Sequence, residues 1–129
     1  MEKGYINLIL ISNKFIFSCK PKYVMMYKGG FVYILTNKNK TVLYIGVTSD
    51  LKGRIWEHMN SNNRQSFTFR YNVLYLVYYE FLDSISQAID REKQLKRWSR
   101  EKKEDLINKM NPTWGFLNDE VAEDVYSLI

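Results

Sequence analysis

The chain has 129 residues, of which 46% are hydrophobic and 26% are charged. This balance excludes a disordered or low-complexity chain, and the length suits one domain better than two. With one cysteine, Cys19, and one histidine, His58, the sequence provides neither an internal disulfide nor a metal site with two histidine ligands. The net charge of +5 permits a polyanionic partner without requiring one.

Residues 1–28 precede the organised pattern, and we interpret them as an extension that is either the product of a misplaced start or an added arm. The apolar run over 6–11 is far shorter than the roughly 20 apolar residues that a membrane-spanning helix needs. A signal-peptide cleavage site does not follow it. We therefore expect a cytoplasmic protein with no membrane partner.

The organised part begins with a predicted hairpin. Residues 31–36 and 41–47 are rich in β-branched and aromatic side chains, and the cluster 37–40 between them is typical of a turn. Helical periodicity follows over 51–59, directly after side chains that favour a helix start. Residues 64–70 are expected to form a polar, basic loop.

The second half adds one strand and two helices. Residues 73–81 are apolar on both faces, which predicts either the central strand or a strand covered by helices. Helices are predicted over 85–98 and 100–109. The fold class is therefore α/β (α+β), a three-stranded, mainly antiparallel sheet flanked by helices in the order β-β-α-β-α-α. This domain is expected to span 29–118, followed by an acidic tail over 119–129.

Positive charge is concentrated on the predicted second and third helices. Residues 91–103 carry seven basic and two acidic side chains, whereas 119–129 carry four acids and no base. One interpretation is a solvated helix face with pairs one turn apart, such as Glu92 and Lys96. The other is a stripe that contacts nucleic-acid phosphates through Lys93, Lys96, Arg97, Arg100 and Lys103.

Several aromatic residues lie close to basic residues in the sequence. Trp98, Phe67, Phe69 and Tyr71 are either core residues or platforms on which bases stack, and for Trp98 the core is the better interpretation.

A spaced set of reactive side chains stands out from this layout. Tyr33 lies on the first strand and Tyr44, followed by Ile45 and Gly46, lies eleven residues later on its partner. The next helix carries a guanidinium and, one turn further along the same face, an imidazole, and the second helix carries a carboxylate. These three residues are Arg54, His58 and Glu92.

The set resembles the GIY-YIG nuclease superfamily, and most closely its small stand-alone members. The second of the two tripeptides that name the family is intact as Tyr44-Ile45-Gly46, whereas the first, Phe31-Val32-Tyr33, keeps only its tyrosine. The resemblance covers about residues 29–117, and it includes the basic helix Glu92–Trp98 and the closing segment Asn111–Trp114.

The resemblance implies a phosphodiester hydrolase that acts on DNA, with a role such as DNA repair. One divalent ion, Mg²⁺ or Mn²⁺, would be held by Glu92, because Mg²⁺ keeps several waters and needs few protein ligands. Arg54 would bind the scissile phosphate. Tyr33 would act as general base, which requires its pKa to be depressed from its usual value near 10. His58 would relay the proton or bond to Tyr33.

Three further residues have supporting roles in this interpretation. Tyr44 would orient the phosphate or the water, Gly46 would allow close backbone approach, and Asn111 would support the site. We expect the two phenols, the guanidinium, the imidazole and the carboxylate to converge in one shallow pocket.

Alternatives remain open at this point. Because the sequence offers no separate recognition domain, low sequence specificity or recognition of nucleic-acid shape is expected. The degenerate first tripeptide also allows a nucleic-acid-binding module that does not cut, and the acidic tail allows a protein-binding role. Each site residue has an ordinary structural interpretation as well, for example an ion pair between Arg54 and Glu57 or Asp50.

Overall fold

The computed structural model describes residues 29–61 and 63–126. Residues 1–28, and with them the predicted arm, lie outside the described residues. In the described ranges, no helix combines the length and apolar character that a membrane crossing requires.

Three antiparallel strands form the sheet, and they confirm the predicted fold class. They are β1 (Gly30–Thr36), β2 (Leu43–Thr48) and β3 (Tyr75–Leu82), in the spatial order β2-β1-β3. In this register Tyr33 lies directly opposite Gly46. The central strand is thus β1. The apolar third strand, β3, lies at an edge of the sheet and is covered by other elements.

Within residues 29–61 and 63–126, five helices surround the sheet, and most of them begin at a capping side chain. The side chains of Asp50, Ser66, Ser84 and Ser99 each accept a hydrogen bond from a backbone N–H in the first turn that follows. The helices are α1 (Leu51–Asn60), α2 (Phe67–Arg70), α3 (Ile85–Lys96), α4 (Arg100–Met110) and α5 (Asn118–Tyr126). The short helix α2 occupies part of the segment for which the sequence predicts a loop.

The sheet separates two apolar layers, because successive side chains of a strand point to opposite faces. Phe31, Tyr33 and Leu35 of β1 pack with residues of α1 and α5, and this side is called the α1 face. Val32 and Ile34 pack with residues of α3 and α4, and this side is called the α3 face. The buried helix residues are Leu51, Ile55 and Val121 on the α1 face, and Ala88, Leu95 and Ile107 on the α3 face.

The outer edge of β3 is closed by the segment that links α4 to α5. Asn111 donates from Nδ2 to the Val77 carbonyl at 3.0 Å, and the Leu117 amide donates to the Leu76 carbonyl at 2.7 Å. The Asn118 side chain accepts from the Leu76 amide at 2.9 Å. These bonds satisfy backbone groups that an exposed edge strand would leave unpaired.

Candidate active site

Tyr33 is the buried centre of the site on the α1 face. Its side chain is fully enclosed, and its ring lies across Gly46 of the neighbouring strand. A Cβ atom at Gly46 would overlap with Cζ and Oη of the Tyr33 ring. The glycine of the intact tripeptide therefore makes room for the phenol, whose oxygen lies 3.0 Å from Nε2 of His58.

His58 is held on α1 by hydrogen bonds at both ring nitrogens. Nε2 faces the Tyr33 hydroxyl, and Nδ1 lies 3.3 Å from Oγ1 of the buried Thr68 on α2. Burial, together with the Arg54 guanidinium, lowers the pKa of His58 below its usual 6.5. The imidazole is thus neutral at pH 7, and the contacts fit a ring that donates from Nδ1 and accepts at Nε2 from Tyr33.

The phenol of Tyr33 is protonated at neutral pH. Burial first, and then the neighbouring Tyr44 phenol, raises the pKa of Tyr33 to about 12, although Arg54 acts in the opposite direction. The lowered pKa that a general base would require is therefore not present in the unbound protein, because an enclosed phenolate would lose its hydration. The protonated phenol has a proton to donate, and Nε2 of His58 is within hydrogen-bond distance of it.

Arg54 precedes His58 by one helical turn and is positioned by two neighbours. Its Nε donates to Oε1 of Glu57 at 3.1 Å, which confirms one of the predicted ion pairs. Burial opposes protonation of Arg54, but the Tyr33 hydroxyl and Glu57 outweigh it and raise the pKa of the guanidinium. The group is a permanent cation directly beside the phenol.

Tyr44 covers the phenol–imidazole pair from β2. Its ring centroid lies 6.4 Å from that of Tyr33 and 5.8 Å from that of His58. On its other side it stacks on Phe67 of α2, at 6.1 Å and 25°. Tyr44 is half-buried, so it links the enclosed part of the site to the surface.

An open groove of about 470 Å³ begins at this cluster and runs between α1 and the segment that leads into α2. This volume is within the range of small-molecule sites. The groove is lined by Arg54, Trp56, Glu57, His58, Asn60, Ser61, Ser66 and Thr68.

Glu92 does not join these four residues. It lies on α3, which packs against the other side of the sheet because Ala88 and Leu95 bury their side chains there. The Glu92 side chain is only 13% exposed, and its carboxylate forms an ion pair with Lys96 one turn later. The structure thus brings four of the five predicted side chains together on the α1 face and places the fifth in the layer across the sheet.

The orientation of α3 nevertheless turns Glu92 towards the strand that carries Tyr44. Arg91 pairs with Glu80 of β3, so that flank of the helix faces β3. Glu92 follows about 100° further around the helix axis, on the other side of the buried stripe formed by Ala88 and Leu95. It therefore lies on the flank away from β3, which is the β2 side because the strand order is β2-β1-β3. Among the described strands β2 is an edge, and its Gly46 lies beneath the Tyr33 ring.

Glu92 is also the residue to test as a metal ligand. No group of three or more His, Cys, Asp or Glu side chains that could hold a metal occurs within the described part of the chain. A single carboxylate fits Mg²⁺ that keeps its waters and takes its other ligands from a phosphate. Glu92 already holds one cation, the ammonium of Lys96, whose side chain is more than half exposed and is free to withdraw.

The remaining predicted residues have other surroundings. Asn111 donates to the carbonyls of Val77 and Gly115, so its side-chain amide closes the edge of β3. Arg100 donates to the carbonyls of Thr41 and Lys40 at 2.9 and 3.1 Å, which ties α4 to the hairpin turn. The other predicted phosphate contacts, Lys93, Lys96, Arg97 and Lys103, lie on or next to α3 and α4, across the sheet from Tyr33.

Two residues of α2 belong to the site, although the sequence alone did not assign them to it. Thr68 bonds to His58, and Phe67 stacks on Tyr44. The N-cap signal of Ser66 was available in the sequence, but a helix of four residues has no periodicity that would tell which of its side chains point inwards.

Comparison with known proteins decides the family. The family model described as the GIY-YIG catalytic domain matches residues 29–105. This chain belongs to the GIY-YIG family. Its similarity to a UPF0213 protein of Syntrophus aciditrophicus is 39% identity over 82 residues, covering 64% of this chain and 92% of the relative. A UPF0213 protein of Haloquadratum walsbyi is 36% identical over 76 residues, covering 59% and 83%.

A solved structure matches as well. The solution NMR structure of a UPF0213 protein from Bacillus halodurans is 29% identical, covers 67% of this GIY-YIG chain and 89% of its own, and gives a TM-score of 0.44. The family is a nuclease superfamily, which makes phosphodiester cleavage the activity to test.

The close fit of Gly46 against Tyr33 gives a stability prediction. Gly46→Ala should reduce the free energy of unfolding by about 1–3 kcal/mol, because the enclosed ring must tilt away from the new methyl group. Chemical denaturation measures this change. Gly115→Ala is the matched control, since a Cβ there meets no described atom closer than Oγ1 of Thr113 at 3.7 Å and should cost less than about 0.5 kcal/mol. Equal effects of the two variants would contradict the tight packing at Gly46.

Proposed function

We propose that this GIY-YIG protein is a metal-dependent endonuclease that hydrolyses phosphodiester bonds in DNA, with low sequence specificity or selectivity for DNA shape. The observation that supports this most is the hydrogen bond between Tyr33 and His58, which lies against the Arg54 guanidinium at one end of an open groove. A cation for the phosphate and a proton pathway thus occur side by side.

Arg54 is the proposed phosphate ligand. Its guanidinium presents a planar set of donors that matches two phosphate oxygens, and its raised pKa keeps it charged at any working pH. In the unbound protein Glu57 occupies one donor. A phosphate would take the place of this carboxylate and draw the guanidinium away from Tyr33, which would expose the enclosed hydroxyl to the groove.

The Tyr33–His58 pair is the proposed proton acceptor. The neutral imidazole accepts at Nε2, so the phenol can pass its own proton to His58 as its oxygen takes one from the attacking water. Thr68 holds the ring so that Nε2 faces the phenol. Tyr33 is therefore a relay that moves a proton, and it does not need the lowered pKa of an isolated base.

Glu92 is the proposed ligand for Mg²⁺ or Mn²⁺. A divalent ion at a phosphodiester stabilises the charge on the phosphate and on the departing oxygen. Glu92 would hold the ion with one carboxylate, and the Lys96 ammonium that now pairs with it would have to withdraw.

A second candidate function is a nucleic-acid-binding module that does not cut. The position of Glu92 across the sheet from Tyr33 favours it, since hydrolysis needs the ion and the proton acceptor at the same phosphate. The proposed cytoplasmic location and a role in DNA repair stay predictions.

A panel of DNA substrates separates the two functions. Purified protein is incubated with supercoiled plasmid, linear duplex and branched DNA, in Mg²⁺, in Mn²⁺ and in excess chelator. Nicking or cutting that requires the ion supports the endonuclease. Salt-sensitive binding to the same substrates without any cutting would support the module and overturn the proposed activity.

The single histidine allows a direct test of the proton acceptor. NMR titration should give His58 a pKa below 6.5, because burial and then Arg54 disfavour the imidazolium. Arg54→Gln should raise this pKa, and Glu57→Gln should lower it further. The folded state thus favours neutral His58, so its contribution to stability is present above pH 6.5 and is lost as the pH falls through the folded pKa. A pKa above 6.5 would contradict the neutral, buried imidazole.

A further inference from the structure

A continuous row of aromatic rings leads from the catalytic cluster to the surface. Tyr44 stacks on Phe67, and Phe67 in turn lies 4.8 Å from Tyr71, centroid to centroid. Phe67 and Tyr71 are 47% and 49% exposed, although each ring has a large apolar area. The protein therefore holds two aromatic rings partly in water, directly beside the side chain that covers Tyr33 and His58.

The charge around this row favours a polyanion. Arg64 and Arg70 are exposed on either side of Phe67 in the sequence. Between His58 and Tyr79 the sequence contains no aspartate or glutamate. An acidic protein surface would suit this charge as well, but flat exposed rings beside a phosphate-binding guanidinium match a nucleotide, which presents a planar base next to its phosphate.

We propose that the Phe67–Tyr71 pair is a subsite for an unpaired nucleobase, so that the site takes single-stranded nucleic acid or an unpaired stretch within a duplex. The inference rests on the proposed nuclease function, because it assumes that Arg54 holds the adjacent phosphate. In a duplex the bases stack on each other and present no free face to a side chain. An unpaired base can continue the row Tyr44–Phe67–Tyr71.

Fluorescence anisotropy in chelator, where cutting is not required, tests the subsite. The probes are a short labelled single-stranded DNA, the RNA of the same sequence, and the DNA duplex. The wild type should bind both single strands more tightly than the duplex, and a difference between the two single strands tells which sugar is preferred. Phe67→Ala should weaken single-strand binding roughly tenfold and leave duplex binding unchanged.

Two controls separate stacking from folding. Phe67→Leu keeps an apolar side chain against Tyr44 but removes the ring, so it should weaken binding nearly as much as Phe67→Ala. Phe116→Ala removes another exposed ring, which is 42% exposed and stacks on Tyr75 of β3, and should have no effect on binding. A 2-aminopurine base in the strand should lose fluorescence when bound to the wild type and recover it with Phe67→Leu.

The results also separate this proposal from the nuclease function. Base stacking without cutting would overturn the endonuclease and keep the subsite. Cutting that is unaffected by Phe67→Leu would keep the endonuclease and overturn the subsite. Equal binding of single strands and duplex would overturn the subsite. A dimer in light scattering that Phe67→Ala dissociates would assign the two rings to a second copy of the chain and would likewise overturn it.

Discussion

Tyr33→Phe should lower the rate of DNA cleavage by roughly 10²–10⁴-fold, the usual contribution of a positioned proton-transfer group. The substitution removes only the hydroxyl that bonds to His58, and the ring that fills the space over Gly46 remains. The fold and the affinity for DNA in chelator should therefore stay close to those of the wild type. Single-turnover cleavage with Mg²⁺ measures the effect.

Tyr78→Phe is the matched control for this variant. Tyr78 is also a buried tyrosine of the sheet, but it belongs to the α3 face and its hydroxyl bonds to Glu80. Loss of the Tyr78 hydroxyl should reduce the free energy of unfolding by about 1 kcal/mol and leave the rate of cleavage unchanged. Cleavage by Tyr33→Phe at the wild-type rate would exclude the phenol from proton transfer and leave His58 as the acceptor.

Glu92→Gln should lower Mg²⁺-dependent cleavage by at least about a hundredfold, because one carboxylate is the proposed protein ligand of the ion. The amide has the same shape but carries no charge and binds Mg²⁺ weakly. Mn²⁺ binding, followed by electron paramagnetic resonance, should fall together with cleavage. Binding of DNA in chelator should not change, since Arg54 on the α1 face is untouched.

Glu104→Gln is the control for the loss of an ion pair. Glu104 pairs with Arg100 one turn earlier on α4, whereas Glu92 pairs with Lys96 one turn later on α3, so each variant removes one ion pair that spans a helical turn. Only Glu92→Gln should affect Mn²⁺ binding. Wild-type Mn²⁺ binding by Glu92→Gln would mean that the ion is held elsewhere. The position of Glu92 across the sheet from Tyr33 would then agree with its having no part in metal binding.

The elements of the fold follow from local patterns, but their arrangement does not. Alternating and helical periodicities predict the strands and the three longer helices, because each depends on neighbours in sequence. The same patterns left open which strand is central, since 31–36 and 73–81 are both apolar on two faces. Backbone pairing decides this, and the segment after Asn111 occupies the outer edge of β3.

The site was predictable to the extent that spacing fixes geometry. A hairpin register and one helical turn bring Tyr33, Tyr44, Arg54 and His58 together, and all four meet on the α1 face. Spacing does not tell on which side of the sheet a later helix packs. It therefore could not predict that Glu92 lies on a helix of the α3 face. The direction of the Tyr33 pKa shift depends on enclosure by distant residues, and a sequence does not display it.

The bonds at the outer edge of β3 have a consequence for how this domain is shortened or fused. The match to the family model ends at residue 105, before the backbone contacts of Asn111, Leu117 and Asn118 are reached. A protein cut at that point would keep every proposed catalytic group and yet expose a row of unpaired amides and carbonyls along an apolar strand. Such an edge recruits other chains, so the minimal catalytic fragment should precipitate or form oligomers unless the closing segment is retained.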